Sequence, residues 1–197
     1  MINLLLNIPV LITVVAIVLV IIILIAWLIS TYNKLVKARN RVENSWSQVD
    51  VQLKRRFDLI PNLVETVKGY TKHESDILTQ FAKARQMYND AQSSKSVKSM
   101  AEANASLNKA LSVAINAVRE QYPELQANTN YQKLMSELSD CEDKISYNRQ
   151  FYNDTVLSYT NLRQLFPSNI VAKMFNFANK EYFTVEEEQR EAPKVSF

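Results

Sequence analysis

"LKRRFDLIPNLVETVKGY", residues 53–70, decides how many helices the chain has. Lys54, Arg55 and Arg56 precede Pro61 inside an apolar pattern of helical period, and Gly69 is the one glycine of the chain. Two readings compete. In the first, Asp58 is an N-cap and Pro61 falls in the first turn, where no N–H partner is needed. The three cations then close the preceding helix and complement its dipole. In the second, one long helix runs through and is kinked at Pro61. The reversal is preferred because it yields four helices that can pack as an antiparallel bundle. Gly69 would then lie inside the second helix, at a cost of about 1 kcal/mol relative to Ala, and would mark a close helix–helix contact.

Working outward, apolar residues recur at spacings of three and four throughout. A first helix is expected from Thr31 to about Phe57, with Leu35, Val42, Trp46, Val49 and Leu53 on one stripe. A second, about Asp58 to Ala91, carries Ile60, Leu63, Val67, Tyr70, Ile77, Phe81 and Tyr88. A third, about Ser96 to Gln121, carries Met100, Asn104, Leu107, Leu111, Ala114 and Val118. The fourth, about Asn128 to Phe166, runs from Tyr131 through Leu138, Cys141, Ile145, Tyr152 and Tyr159 over five heptads, a bundle or coiled-coil seam. Asn104 and Asn148 in that pattern would specify register or partner. One glycine and five prolines argue against a β protein, whose turns need those residues. The fold class is all-α: an N-terminal transmembrane helix followed by an antiparallel four-helix bundle.

Residues 1–33 contain no charge, and Ile8–Ile29 is almost wholly aliphatic. About 20 apolar residues span a bilayer core. The segment lacks the basic start and small-residue site of a cleaved signal peptide, so a retained anchor is expected, with Trp27 at its inner interface. Lys34, Lys37, Arg39 and Arg41 follow at once, and the positive-inside rule puts the body in the cytoplasm and the N-terminus outside. The chain divides into an extracytoplasmic 1–7, a transmembrane helix 8–30, a bundle 31–166, an amphipathic segment 167–183 near the membrane, and an acidic tail 184–197 expected to be disordered.

The chemistry is sparse. A formal net charge of +3 makes no case for nucleic acid. The lone Cys141 cannot form an internal disulfide and reads as a small buried residue. A di-iron bundle needs Glu-x-x-His motifs, and the one histidine, His73, stands in none. One glycine leaves no phosphate loop or dinucleotide fingerprint. No catalytic residue, cofactor, metal or small-molecule substrate is expected.

Two surfaces remain. The reversal would place Lys54, Arg55 and Arg56 at the membrane-distal tip beside Glu124, Gln126 and Asn128, as a partner-docking surface or simply as helix ends. The stretch 167–183 suggests a short helix capped by Ser168. Its Met174, Phe175 and Phe177 would lie on the bilayer as an interfacial helix, or cover the open end of the bundle.

"VQLKRRFDLIPNLVETVKGYTKHE" (51–74), "YPELQANTNYQKLMSELSDCEDKISYNRQFYND" (122–154) and "FPSNIVAKMFNF" followed by "KEYF" (166–183) resemble the LemA family of bacterial membrane-anchored proteins. The resemblance covers about Tyr32 to Phe183. It implies an N-terminal anchor, a soluble four-helix bundle and no assigned activity or catalytic residues. The family is mentioned beside membrane metalloproteases of the HtpX type. Two places depart from its pattern: Ser45 before Trp46, where Ala is usual, and the glycine-free "MFNFAN". The expected function is a non-enzymatic scaffold at the bacterial inner membrane, with the bilayer and a second copy of itself as partners. The alternative is an adaptor for another membrane protein, such as an HtpX-type protease.

Overall fold

A computed structural model describes residues 2–68 and 75–184, with side chains from Pro9 in the first stretch and from Ile77 in the second. The protein is all-helical, with no strand among the described residues. The elements are α1 (Ile2–Lys68), α2 (Ser75–Ser94), α3 (Val97–Gln121), α4 (Pro123–Gln126), α5 (Thr129–Gln164) and α6 (Ser168–Met174). Gly69, Tyr70, His73 and Glu74 lie outside the described residues, as does the acidic tail from Val185.

The expected reversal at residues 54–61 does not occur. Helix α1 continues through Asp58 and Pro61 to Lys68. An interior proline removes one helix hydrogen bond and clashes with the carbonyl four residues back, at about 3 kcal/mol. The apolar stripe offsets that cost. Val49, Leu53, Phe57, Ile60, Leu63 and Val67 are all buried, in one unbroken phase on both sides of the proline. Each buried side chain of this size contributes about 1.5–3 kcal/mol. Lys54, Arg55 and Arg56 therefore lie in mid-helix and cap nothing.

The other breaks are local in origin. Ser96 caps α3 by accepting from the Ser99 amide at 3.1 Å. Pro123 opens the short α4 at its first position, and Leu125 beneath it is fully buried. Asn128 caps α5, its Oδ1 accepting from the amides of Asn130 and Tyr131 at 2.9 and 3.1 Å. Ser168 does not cap α6, whose N-cap is Pro167. Its hydroxyl instead donates to the carbonyls of Leu162 and Leu165, at 2.6 and 2.9 Å.

The chain forms two compact units. The first comprises Met1–Glu43 and Leu157–Lys180; the second comprises Asn44–Val156 and the chain from Glu181. In the second, α2 and α3 pack together across the turn at Lys95. Phe57 of α1 stacks on Tyr88 of α2 at 4.2 Å. Trp46 of α1 lies between Tyr152 of α5 and Phe183, at 5.4 and 5.9 Å. The seam of α5 buries Tyr131, Leu138, Cys141, Ile145, Tyr152 and Thr155.

Candidate functional site

In the first unit, α1 exposes an unbroken aliphatic surface through Ile25, and it is the one described helix long and apolar enough to cross a membrane. Its single hydroxyl in that stretch, Thr13, donates to the Pro9 carbonyl at 2.8 Å, so the helix satisfies its own polar groups as a bilayer requires. Trp27 is half-buried, and Lys34, Lys37, Arg39 and Arg41 are exposed just beyond.

Against this part of α1 the chain folds back through α6 and residues 175–180. Tyr32 meets Phe175 and Phe177 at ring distances of 4.7 and 5.8 Å. The Arg39 guanidinium lies 5.8 Å over the Phe177 ring, a cation–π contact. Tyr159 donates to the Ala178 carbonyl at 2.7 Å, and Lys180 pairs with Glu43 at 3.2 Å. Val171, Ala172 and Phe177 are buried, with Phe177 only 7% exposed. Phe177, expected either on the bilayer or over the open end of the bundle, is a core residue of its unit. Met174 and Phe175 are exposed, and Leu165, Phe166 and Ile170 join them. Phe166 closes the sequence pattern as a seam residue, yet it is 79% exposed. Pro167 ends the helix there, and the period no longer governs where the side chain goes.

Charge divides as the units do. The first unit holds seven Lys/Arg and one carboxylate, a net +6; the rest of the chain holds 16 and 19, a net −3.

In the second unit, Arg56 is 4% exposed. Its Nη1 donates to Asn104 Oδ1 at 2.8 Å and pairs with the Glu142 carboxylate. Burial pushes the guanidinium below its ordinary value, and Glu142 opposes the shift. Beside them the Cys141 thiol is pushed up by burial against the cations Arg55, Arg56 and Lys144, which keeps it protonated and inert. Arg55 reaches Glu137 at 4.0 Å, across an exposed surface. Ion pairs of that kind contribute little.

The expected docking tip is not assembled. The partners of Arg55 and Arg56 on α5, Glu137 and Glu142, lie nine and fourteen residues past Asn128, or about 14 to 21 Å at 1.5 Å per residue. Glu124 and Gln126 are exposed, Lys54 points to solvent, and Asn128 is occupied as a cap.

The LemA family pattern matches residues 45–197. The chain belongs to the LemA family. Protein LemA of Metamycoplasma hominis is 26% identical over 158 residues, covering 80% of this chain and 71% of that protein. Magnetosome protein MamQ 2 of Paramagnetospirillum magneticum is 27% identical over 182 residues, covering 81% of this chain and 66% of its own. MamQ of Magnetospirillum gryphiswaldense is 25% identical over 181 residues, with the same coverage. None of these names denotes an enzyme.

Both departures from the expected LemA pattern find partners. Ser45 is buried with its Oγ 2.8 Å from Thr155 Oγ1. Thr155 in turn donates to the Tyr152 carbonyl at 2.7 Å, so the extra hydroxyl is accommodated. In "MFNFAN", Asn176 takes a φ of 53° just after α6. Asn tolerates this left-handed position at a helix end nearly as glycine does.

Proposed function

We propose that this LemA-family chain is a non-enzymatic, membrane-anchored helical scaffold that assembles with copies of itself at the bacterial inner membrane. The observation that carries the membrane half is the first unit. An exposed aliphatic helix runs directly into a net +6 collar, and exposed Leu165, Phe166, Ile170, Met174 and Phe175 lie in the same unit. Apolar surface of that extent is unstable in water, and a bilayer with anionic headgroups satisfies both features. The N-terminus faces outward and the body lies in the cytoplasm, on the positive-inside argument.

The body is an antiparallel four-helix bundle of α1, α2, α3 and α5. Supporting this, paired residues of α1 and α5 run in opposite directions, Gln48 with Asn148 and Arg55 with Glu137, and Phe57 of α1 stacks on Tyr88 of α2. Self-association is supported by apolar side chains turned outward in the second unit, Val51 at 60% and Tyr147 at 72% exposed, and by the avidity that tethering confers.

The adaptor reading is favoured by one different feature. A groove of about 450 Å³ lies between α3 and α5, with Leu111, Ile115, Met135 and Leu138 along it and Arg56 and Glu142 beside them. A helix of another membrane protein would lie in such a groove.

Two measurements test the proposal. Alkaline carbonate should leave the protein in the membrane pellet; extraction into the supernatant would refute the anchor. Light scattering of the full-length protein in mild detergent should give a defined multiple of 22.7 kDa. A monomer there would remove the scaffold and leave the adaptor.

A further inference from the structure

The last turn of α5, helix α6 and residues 175–180 line an open cavity of about 590 Å³ within the first unit. Its wall has a distinct chemistry. Arg163 and Lys173 supply two cations, Gln164, Asn169 and Asn176 supply three carboxamides, and Phe177 supplies an apolar edge. No carboxylate lines it among the described residues. The single acidic residue of the unit, Glu43, is engaged by Lys180 at 3.2 Å.

Arg163 is held in place by a neutral group. Its Nη2 donates to Asn179 Oδ1 at 3.3 Å, while its Nε is enclosed without a hydrogen-bond partner. Asn169 Oδ1 is likewise enclosed and unpartnered. A partly enclosed guanidinium with an unpaired N–H and no carboxylate partner among the described residues is costly. An anion carrying several acceptor oxygens would satisfy Arg163, Lys173 and the carboxamide donors together, through charge-assisted hydrogen bonds. A phosphate group has that charge and oxygen count.

The surroundings select which phosphate. Leu165, Phe166, Ile170, Met174 and Phe175 are exposed within the same few turns that line the cavity. Phe175 packs on Tyr32, directly after the aliphatic stretch of α1. A free phosphate gains nothing from those side chains, whereas acyl chains would cover them.

We propose that this cavity binds the phosphate headgroup of an anionic phospholipid, whose acyl chains lie over Leu165, Phe166, Ile170 and Met174. A zwitterionic lipid would bring its ammonium against Arg163, Lys173 and the +6 field and bind less well. The proposal rests on the reading that α1 crosses a bilayer, but its test does not.

Full-length protein in mild non-ionic detergent would be incubated with phosphatidylglycerol, with phosphatidylcholine of the same chain length, or with inorganic phosphate. Bound adducts would be counted by native mass spectrometry. The expected result is retention of phosphatidylglycerol over phosphatidylcholine, lowered at least about tenfold by Arg163→Gln with Lys173→Gln. Arg163→Lys with Lys173→Arg should restore it. Lys34→Gln with Lys37→Gln removes as much charge from the same unit outside the cavity and should change it less than about twofold.

Equal retention of both lipids would overturn the proposal. So would an equal loss in the Lys34 and Lys37 variant, which would mean a diffuse collar. Competition by inorganic phosphate as effective as by lipid would make this a free-anion site and overturn the lipid assignment. Thermal melts check that each variant folds; if the Arg163 change lowers the melt, Lys173→Gln alone carries the test, because Lys173 is exposed. Carbonate extraction of the wild type reports separately on the anchor.

Discussion

Arg56 shows how a single residue can be misread from sequence. It stands in a run of three cations, and charged residues are almost never fully buried unless paired. Its partners are 48 residues on, at Asn104, and farther still, at Glu142, so no local pattern announces it. Removing a partner leaves a buried donor unsatisfied, at about 1–3 kcal/mol. Asn104→Leu and Glu142→Ala should each lower the unfolding free energy by that order, read from denaturant titration followed by tryptophan fluorescence. Arg56→Met combined with Asn104→Leu should cost less than Asn104→Leu alone, because an apolar replacement of the whole set is tolerated where a half-removed one is not. The tyrosines give a second prediction. Burial, with Asp50 and Asp58, pushes the Tyr88 hydroxyl up to about 12, and burial with Glu181 does the same for Tyr152. In the unfolded chain both titrate near about 10. Above that pH the unfolded state binds fewer protons, so their contribution is complete below pH about 10 and is lost as pH rises toward about 12. Denaturation midpoints should fall across that window, and Tyr88→Phe should flatten the fall. A midpoint unchanged between the two limits would contradict the burial of both rings.

Helix α1 carries the corresponding lesson for elements. Most of the buried stripe is legible: spacing places Leu53, Ile60, Leu63 and Val67, the set Met100 through Val118 of α3 and the set Tyr131 through Tyr159 of α5, and all of these are buried except Asn148 and Leu134, which shares the α5 spacing and is half-buried. Asp58 and Pro61 are local break signals, but the apolar phase does not shift across them and α1 runs through both. A true reversal restarts the period, and here Leu53, Phe57, Ile60 and Leu63 keep spacings of three and four. Helix α4 went unseen because four residues are too few to show periodicity. The exposure of Leu165 and Phe166 is not legible because they lie where the helix period stops, whereas Ile170 belongs to the apolar set expected of the short helix that follows. Pro61→Ala separates the two readings of this stretch. In a continuous helix it restores an N–H for the Phe57 carbonyl and should stabilise by about 1–3 kcal/mol. At the first turn of a new helix, where proline is favoured, the same change would be neutral or destabilising. Urea titration of the full-length protein reads the sign.

For the whole molecule the governing quantity is the split of charge, +6 against −3, along one chain of net +3. Net charge alone conceals this, which is why composition offered no partner. A basic collar beside an apolar helix does two separable things. It attracts anionic headgroups, by about 1 kcal/mol per cation near the surface and only within a Debye length. It also sets orientation, because cations next to a span are retained on the cytoplasmic side. The first effect is screened by salt, whereas burial of an aliphatic helix is not. Washing membranes in 1 M salt, where the Debye length falls to about 3 Å, should therefore release none of the protein. Orientation is then read by protease. In inside-out vesicles added protease should reach the second unit and leave a protected fragment containing the aliphatic helix; in right-side-out spheroplasts the second unit should survive intact. Changing Lys34, Lys37, Arg39 and Arg41 together to Gln should give a mixed population, since no other cation lies within the first 43 residues. Full protection in inside-out vesicles would place the body outside the cell, and the collar would then serve lipid contact and not topology.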